Sequence, residues 1–187
     1  MAISQFNDHT RRIVISGMIK EETSSIFLEQ ISALEHYDVT KPITIYVDTY
    51  GGVVDAALSI YDAMSICACP IKTVGIGKIM SAGVLLLSAG DKGNRFITKN
   101  ARVMMHQVSG GVSGTVKDID IVAKEIARQQ DVFVELIAKH TGKTRNQILS
   151  DIGRDHYMTA EEALNYGIVD YIVASRKIKA KDNKKGK

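Results

Sequence analysis

No apolar run in this 187-residue chain approaches the roughly 18 residues of a membrane-spanning helix. The first twelve residues, MAISQFNDHTRR, hold no apolar stretch of the kind a secretory signal needs, so a cytoplasmic protein is the default expectation. There are two cysteines, Cys67 and Cys69, and one residue separates them, a spacing that disfavours a mutual disulfide. They read as two reduced thiols at a helix–strand junction. No second Cys/His pair has zinc-type spacing, and the five histidines (9, 36, 106, 140 and 156) form no i,i+4 pair, so no metal site is expected. The GxGxxG phosphate fingerprint is missing, because Gly75, Gly77 and Gly83 do not fit it. Neither repeats nor a linker break the chain, which leaves one domain over residues 1–175.

What is present is ordinary in amount and uneven in place. Hydrophobic residues make up 45% and charged residues 24%, enough apolar content for a substantial core. The net charge of +3 conceals two parts. Residues 176–187, RKIKAKDNKKGK, carry seven basic and one acidic side chain, whereas residues 1–175 carry 17 basic and 20 acidic ones. The body is mildly acidic and the tail basic. No aromatic residue interleaves with the tail, so it lacks a base-stacking platform, and a solvated, disordered end is expected rather than a nucleic-acid site.

Along the chain, β-prone runs alternate with helical periodicity. Arg12 to Ser16 reads as a strand closed by Gly17, and Glu21 to Tyr37 carries Phe27, Ile31 and Leu34 at helical spacing. Ile43 to Val47 is a β-branched buried strand that ends at Asp48-Thr49-Tyr50-Gly51-Gly52, and a helix follows from about Val53 to Ile66. Ile71 to Ile76 with Ser81 to Ala89 repeats the strand–turn–helix plan. Arg95 to Thr98 and Arg102 to Met105 read as strands. After the glycine-rich stretch Val108 to Gly114, Thr115 and Asp118 resemble a capping box that opens a long helix over about 116–140, stopped by Gly142. Such a helix is longer than a domain of this size needs and is expected to project. Thr144 starts a short helix, Thr159 and Glu162 form a further box, Gly167 is a stop, and Ile168 to Val173 is a last strand. The alternation predicts an α/β fold with a mainly parallel sheet.

One stretch concentrates chemistry. In Thr73 to Ala89, TVGIGKIMSAGVLLLSA, a strand bends at small residues and Ser81 stands at the mouth of an apolar helix. A nucleophile there could use the free amides of the first helical turn, though serines at such places are more often N-caps. A nucleophile also needs a base, an orienting group and oxyanion donors. His106, at a strand end, is the best base candidate. Asp48, Asp151 and Asp155 all lie near element ends, and periodicity does not choose among them. Gly51-Gly52 at a strand–helix bend offers free amides, although a tight turn explains them equally well.

The chain resembles ClpP, the family of proteolytic subunits of Clp proteases, from about Arg12 to Val173. The stretches that carry the resemblance are Ser59-Ile60-Tyr61-Asp62-Ala63-Met64, Met80-Ser81-Ala82-Gly83, Ala101 to Gln107, Lys139-His140-Thr141-Gly142, and Arg154-Asp155 followed by Met158 to Ala163. The serine–histidine gap of 25 residues and the histidine–aspartate gap of 49 fit the family. The resemblance implies repeated β-β-α units with a projecting handle helix, and a Ser81–His106–Asp155 triad of nucleophile, general base and orienter. It implies an oxyanion hole from the amides of Gly52 and Ala82, and Val53, Val54, Ser109 and Gly110 as backbone flanking an extended substrate. It places Arg154 and Asp118 at a contact between two stacked seven-membered rings. No cofactor is expected in this subunit, since ATP would be used by an AAA+ unfoldase that feeds in unfolded polypeptides. No membrane or nucleic-acid partner is expected.

The chain departs from the family's usual pattern in four places. Thr49-Tyr50-Gly51-Gly52 stands where the family has Ser-Pro-Gly-Gly, Ala82 replaces the methionine after the serine, and Val108 replaces the proline after His-Gln. The segment before Gly17 is short compared with the family's mature chain. Among the family's docking aromatics Tyr46 is kept, while Thr44 and Ile66 are less bulky. These departures imply a divergent member with altered unfoldase coupling, and they leave a catalytically weak or inactive ring subunit as the alternative. An acyl-CoA enzyme of the related crotonase fold is disfavoured by the Ser-His-Asp register.

Overall fold

The computed structural model describes residues 10–173. The nine N-terminal residues and the basic tail lie outside them, so the expectations for a short N-terminal segment and a disordered tail fall on residues not described.

Among the described residues seven strands form one sheet, with order β1-β2-β3-β4-β7 and with β5 on β3 and β6 on β5. The strands are β1 (Arg12–Ile19), β2 (Ile43–Gly52), β3 (Ile71–Met80), β4 (Arg95–Thr98), β5 (Arg102–Met105), β6 (His156–Met158) and β7 (Tyr171–Val173). All pairings are parallel except β5 with β6. The helices are α1 (Glu21–Tyr37), α2 (Val54–Ile66), α3 (Ala82–Ser88), α4 (Val116–Thr141), α5 (Arg145–Asp151) and α6 (Ala160–Tyr166). The mixed α/β architecture with a mainly parallel sheet is the one the alternation predicts.

Three strands run longer than their β-branched runs suggest. β1 continues through Gly17 to Ile19, β2 continues through the two glycines, and β3 continues past Gly77 to Met80. The last strand is shorter than expected, because Ile168 and Val169 are buried in the turn ahead of β7. β6 has no signal of its own. It is three residues long and is held by its antiparallel partner β5.

β3 does two jobs. Its first half, Thr73–Gly75, pairs with β4, and its second half, Lys78–Met80, pairs with β5. Between them Gly77 sits at φ +67°, where L side chains are strained. The sheet divides there, and β5 brings its C-terminal end beside that of β3. In an open parallel sheet, the cleft beyond the strands' carboxyl ends is where sites form.

The core is apolar and continuous. Ile43, Ile45 and Val47 of β2 alternate inward at 0% exposure, and every residue of α3 is buried beneath the sheet. The capping boxes at Thr115/Asp118 and Thr159/Glu162 form, and Gly142 and Gly167 close their helices in the left-handed conformation. Of the 26 residues of α4, the buried ones are Phe133, Val134 and Ile137 in its C-terminal half. The N-terminal half projects, with Val116 at 84% and Ile121 at 65% exposure. No helix among the described residues is long and apolar enough to cross a membrane. Cys69 is buried and its sulfur lies 3.3 Å from an Arg11 guanidinium nitrogen, while burial pushes the Cys67 thiol up to about 11.

A buried polar cluster anchors the base of α4. The Arg95 guanidinium donates to both carboxylate oxygens of Asp170, at 3.0 and 2.6 Å, and to the His140 carbonyl at 2.9 Å. His140 Nε2 meets the Tyr61 hydroxyl at 3.0 Å. Burial first, then the cations Lys139 and Arg95, hold the imidazole down at about 4. The unfolded chain therefore binds a proton near pH 6.5 that the folded chain refuses until about pH 4. Stability falls as pH drops through that window. Urea unfolding across it should show falling midpoints in the wild type and a flatter profile in His140→Gln. An equal decline in both proteins would assign the acid sensitivity elsewhere.

Candidate active site

Ser81 directly follows β3 and precedes α3. Its backbone is at φ 53°, ψ −125°, one of two positive-φ non-glycine residues among those described. Such a conformation is costly for a residue with a side chain and persists only where the surroundings impose it. Ser81 stands at the N-cap position, yet its side chain makes no capping hydrogen bond. The cap explanation for this serine is thereby set aside. Its Oγ instead lies 2.8 Å from His106 Nε2. The backbone is fixed on both sides, by Ser81 N–H donating to the Met104 carbonyl at 2.8 Å and Val84 N–H donating to the Ser81 carbonyl at 2.9 Å. The first strap ties the end of β3 to β5, and β5 delivers His106.

The glycine turn closes the site from the β2 side. Thr49 is fully buried, and its hydroxyl donates to the Gly17 carbonyl at 2.6 Å and accepts the Gly51 N–H at 3.0 Å. A Cβ on Gly51 would lie 2.6 Å from Ser81 Cβ and 3.1 Å from the Ala82 nitrogen, so this turn presses directly on Ser81. On Gly52 a Cβ would run into the Ile19 carbonyl oxygen at 2.1 Å. Helix geometry leaves the amides of Ala82 and Gly83 without intrahelical acceptors. Gly52 and Ala82 both line the pocket that holds Ser81 and His106.

Of the three aspartates left open by the sequence, two are committed elsewhere. Asp48 accepts the Lys78 ammonium at 2.8 Å, and Asp151 accepts the Tyr166 hydroxyl at 2.6 Å. Asp155 lines an open cleft together with His106, Gln107, Val108, Ser109, Gly153 and Arg154. β6 puts it there. Met105 pairs with His156 in the antiparallel ladder, so one further step of the same register sets His106 opposite Asp155. Asp155 is exposed, and no hydrogen bond joins it to His106 among the described residues. The serine–histidine half of the constellation is assembled in the single chain, while the aspartate is adjacent and unlatched.

An apolar pocket opens beside Ser81, lined by Val54, Ala57, Leu58, Leu85, Val108 and Phe133 among others. Val54 and Ser109 line it; Val53 is 39% exposed and stands outside the lining. Gly110 lies where a Cβ would meet Ile126 of α4 at 2.9 Å. The extended stretch after His106 is held on α4, since Val108 N–H donates to the Gln130 side chain at 3.1 Å. Asp118 is spent locally, accepting the N–H and hydroxyl of Thr115, which lower its pKa. Arg154 is exposed. Among the described residues no cluster of three or more His, Cys, Asp or Glu could hold a metal ion.

Comparison with known proteins decides the family. A family model described as Clp protease matches residues 2–176. The chain belongs to the Clp protease family. A Corynebacterium diphtheriae protein named ATP-dependent Clp protease proteolytic subunit 2 is 42% identical over 165 residues, covering 88% of this chain and 83% of its own. Two Dehalococcoides mccartyi proteins named ATP-dependent Clp protease proteolytic subunit are each 37% identical over 163 residues, covering 87% of this chain and 82% of theirs. Sequence reasoning missed several contributors to this candidate site. Phe133 and Leu85 looked like ordinary core residues on helical faces, and their place beside Ser81 follows from the packing of α3 against α4. Gln130 sits on a helix surface, where one polar residue is indistinguishable from its neighbours. Lys78 is three residues from Ser81, yet its partners come from β2.

Proposed function

We propose that this chain is the proteolytic subunit of an ATP-dependent Clp protease, a serine endopeptidase that hydrolyses unfolded polypeptides within an oligomeric chamber. The observation that carries the reading is the 2.8 Å Ser81 Oγ–His106 Nε2 contact at a strained strand–helix bend in a chain of this family. With Nδ1 protonated, His106 Nε2 accepts the hydroxyl proton as Oγ attacks the scissile carbonyl. The amides of Gly52 and Ala82 receive the oxyanion, and the electrostatic stabilisation they give is usually the largest single part of such catalysis. His106 returns the proton to the leaving amine, the C–N bond breaks, and water, deprotonated by the same imidazole, then releases the acyl group from Ser81.

Asp155 is the orienting group in this reading, and it latches onto the free imidazole nitrogen when the subunits assemble. Arg154 and Asp118 sit at the contact between two stacked heptameric rings, so ring pairing and latch are coupled. The projecting half of α4, with Val116, Ile119 and Ile121 exposed, is the handle that packs against the opposing ring. Val53, Val54, Ser109 and Gly110 border the substrate backbone, and the apolar pocket takes the side chain before the scissile bond. A cytoplasmic AAA+ unfoldase supplies chains and consumes the ATP; this subunit needs no cofactor. Its docking face includes half-buried Tyr46 and Ile66, the latter 84% exposed.

Native mass measurement together with a peptidase assay tests the reading. A tetradecamer that cleaves peptides is expected. A stable monomer without activity would refute it.

A further inference from the structure

β2 and β3 lose register close to the nucleophile. Their pairing is regular from Ile43↔Ile71 to Val47↔Gly75 and resumes at Thr49↔Ile79. Two steps on β2 thus oppose four on β3, and the ladder is interrupted where the two strands must set the glycine turn against Ser81. Such bulges re-aim a strand at the expense of ladder hydrogen bonds. Side chains fill the gap. Asp48 Oδ1 accepts the Lys78 backbone N–H at 3.3 Å and its ammonium at 2.8 Å. The same ammonium lies 4.7 Å from the centroid of the Tyr50 ring. Hydrogen bonding to Asp48 raises the Lys78 pKa.

We propose that Lys78 is a positioning residue for the Ser81 chemistry: its ammonium, held between the Asp48 carboxylate and the Tyr50 ring, clamps the Gly51–Gly52 turn against Met80–Ser81. The proposal rests on the reading of Ser81 as nucleophile. Tyr50 immediately precedes Gly51, whose missing Cβ would touch both Ser81 and the Ala82 nitrogen. Lys78 lies three residues before Ser81 on β3. The clamp therefore joins, from the outer face, the two segments whose separation sets the distance from oxyanion donor to nucleophile. It also accounts for a bulky aromatic in this turn. Tyr50 is 56% exposed and yet anchored, and its cation–π contact supplies rigidity to a turn that has no proline. Small displacements at a reacting centre cost rate rather than binding.

Steady-state peptidase kinetics on the assembled full chain test the clamp. Lys78→Met and Tyr50→Leu should each lower kcat about three- to tenfold with KM and oligomeric mass unchanged. The double variant should be no slower than the worse single one. Lys78→Arg and Tyr50→Phe, which keep the cation and the ring, should stay near wild type. Lys78→Gln carries the same prediction should the methionine variant not fold. Wild-type kcat in Lys78→Met or Lys78→Gln, or a loss expressed only in KM, would overturn the clamp while leaving the peptidase reading intact. An assembled wild type with no hydrolysis would overturn both.

Discussion

Ser81→Ala lowers kcat for peptide hydrolysis by about 10⁴-fold or more. The hydroxyl has one evident role in this fold. It does not cap α3, and its hydrogen-bond partner is the His106 ring, so in the proposed reading its removal takes away a nucleophile rather than a helix N-cap. The strained φ of residue 81 remains with alanine, and the straps to Met104 and from Val84 are backbone bonds that the substitution keeps. Folding stability and oligomeric mass should therefore change little while turnover collapses. His106→Ala should fall to a similar floor, and the double variant no lower, because the two residues act as a unit. Hydrolysis surviving in Ser81→Ala within tenfold of wild type would mean that bond cleavage uses another group.

Gly51→Ala cuts kcat by about 100-fold or more, the scale set by a displacement of about 1 Å at a reacting centre. The new methyl would stand 2.6 Å from Ser81 Cβ and 2.9 Å from the Met80 carbonyl oxygen, at a φ of +88°. Neither neighbour is the free end of a flexible side chain, so relief requires moving the nucleophile or the turn that carries the Gly52 amide. Gly93→Ala is the matched control. Its φ is +87°, and nothing lies within 4 Å of the added carbon. It bears the same kind of backbone strain in open space and should retain full activity. Peptidase kinetics on the two variants, with circular dichroism to verify folding, separate crowding at Ser81 from strain alone. Equal activities would show that the turn does not set the nucleophile's position.

The elements of this fold were legible where local chemistry decides them. The helix over Glu21–Tyr37 follows from Phe27, Ile31 and Leu34 on one face, and α4 and α6 begin and end at their capping threonines and left-handed glycines. Strand ends were less legible, since β2 and β3 continue past their β-branched runs only because neighbouring strands pair with Gly51, Gly52 and Ile79. β6 was invisible. Three residues carry no periodicity, and the strand exists through β5. The site divides in the same way. Periodicity could place Ser81 at a helix mouth and His106 at a strand end but left Asp48, Asp151 and Asp155 open; the resemblance pointed to Asp155, and the β5–β6 register sets that residue opposite His106. The Lys78 clamp depends on a bulge between two strands and on partners some 30 residues away, for which a linear reading has no signal.

Labelling with a fluorophosphonate, followed by peptide mapping of the adduct, tests the central claim most directly. One covalent adduct per subunit on the peptide containing Ser81 is predicted, absent in Ser81→Ala and strongly slowed in His106→Ala. An adduct on a different residue, or no adduct on protein that is cleaving peptides, would contradict it.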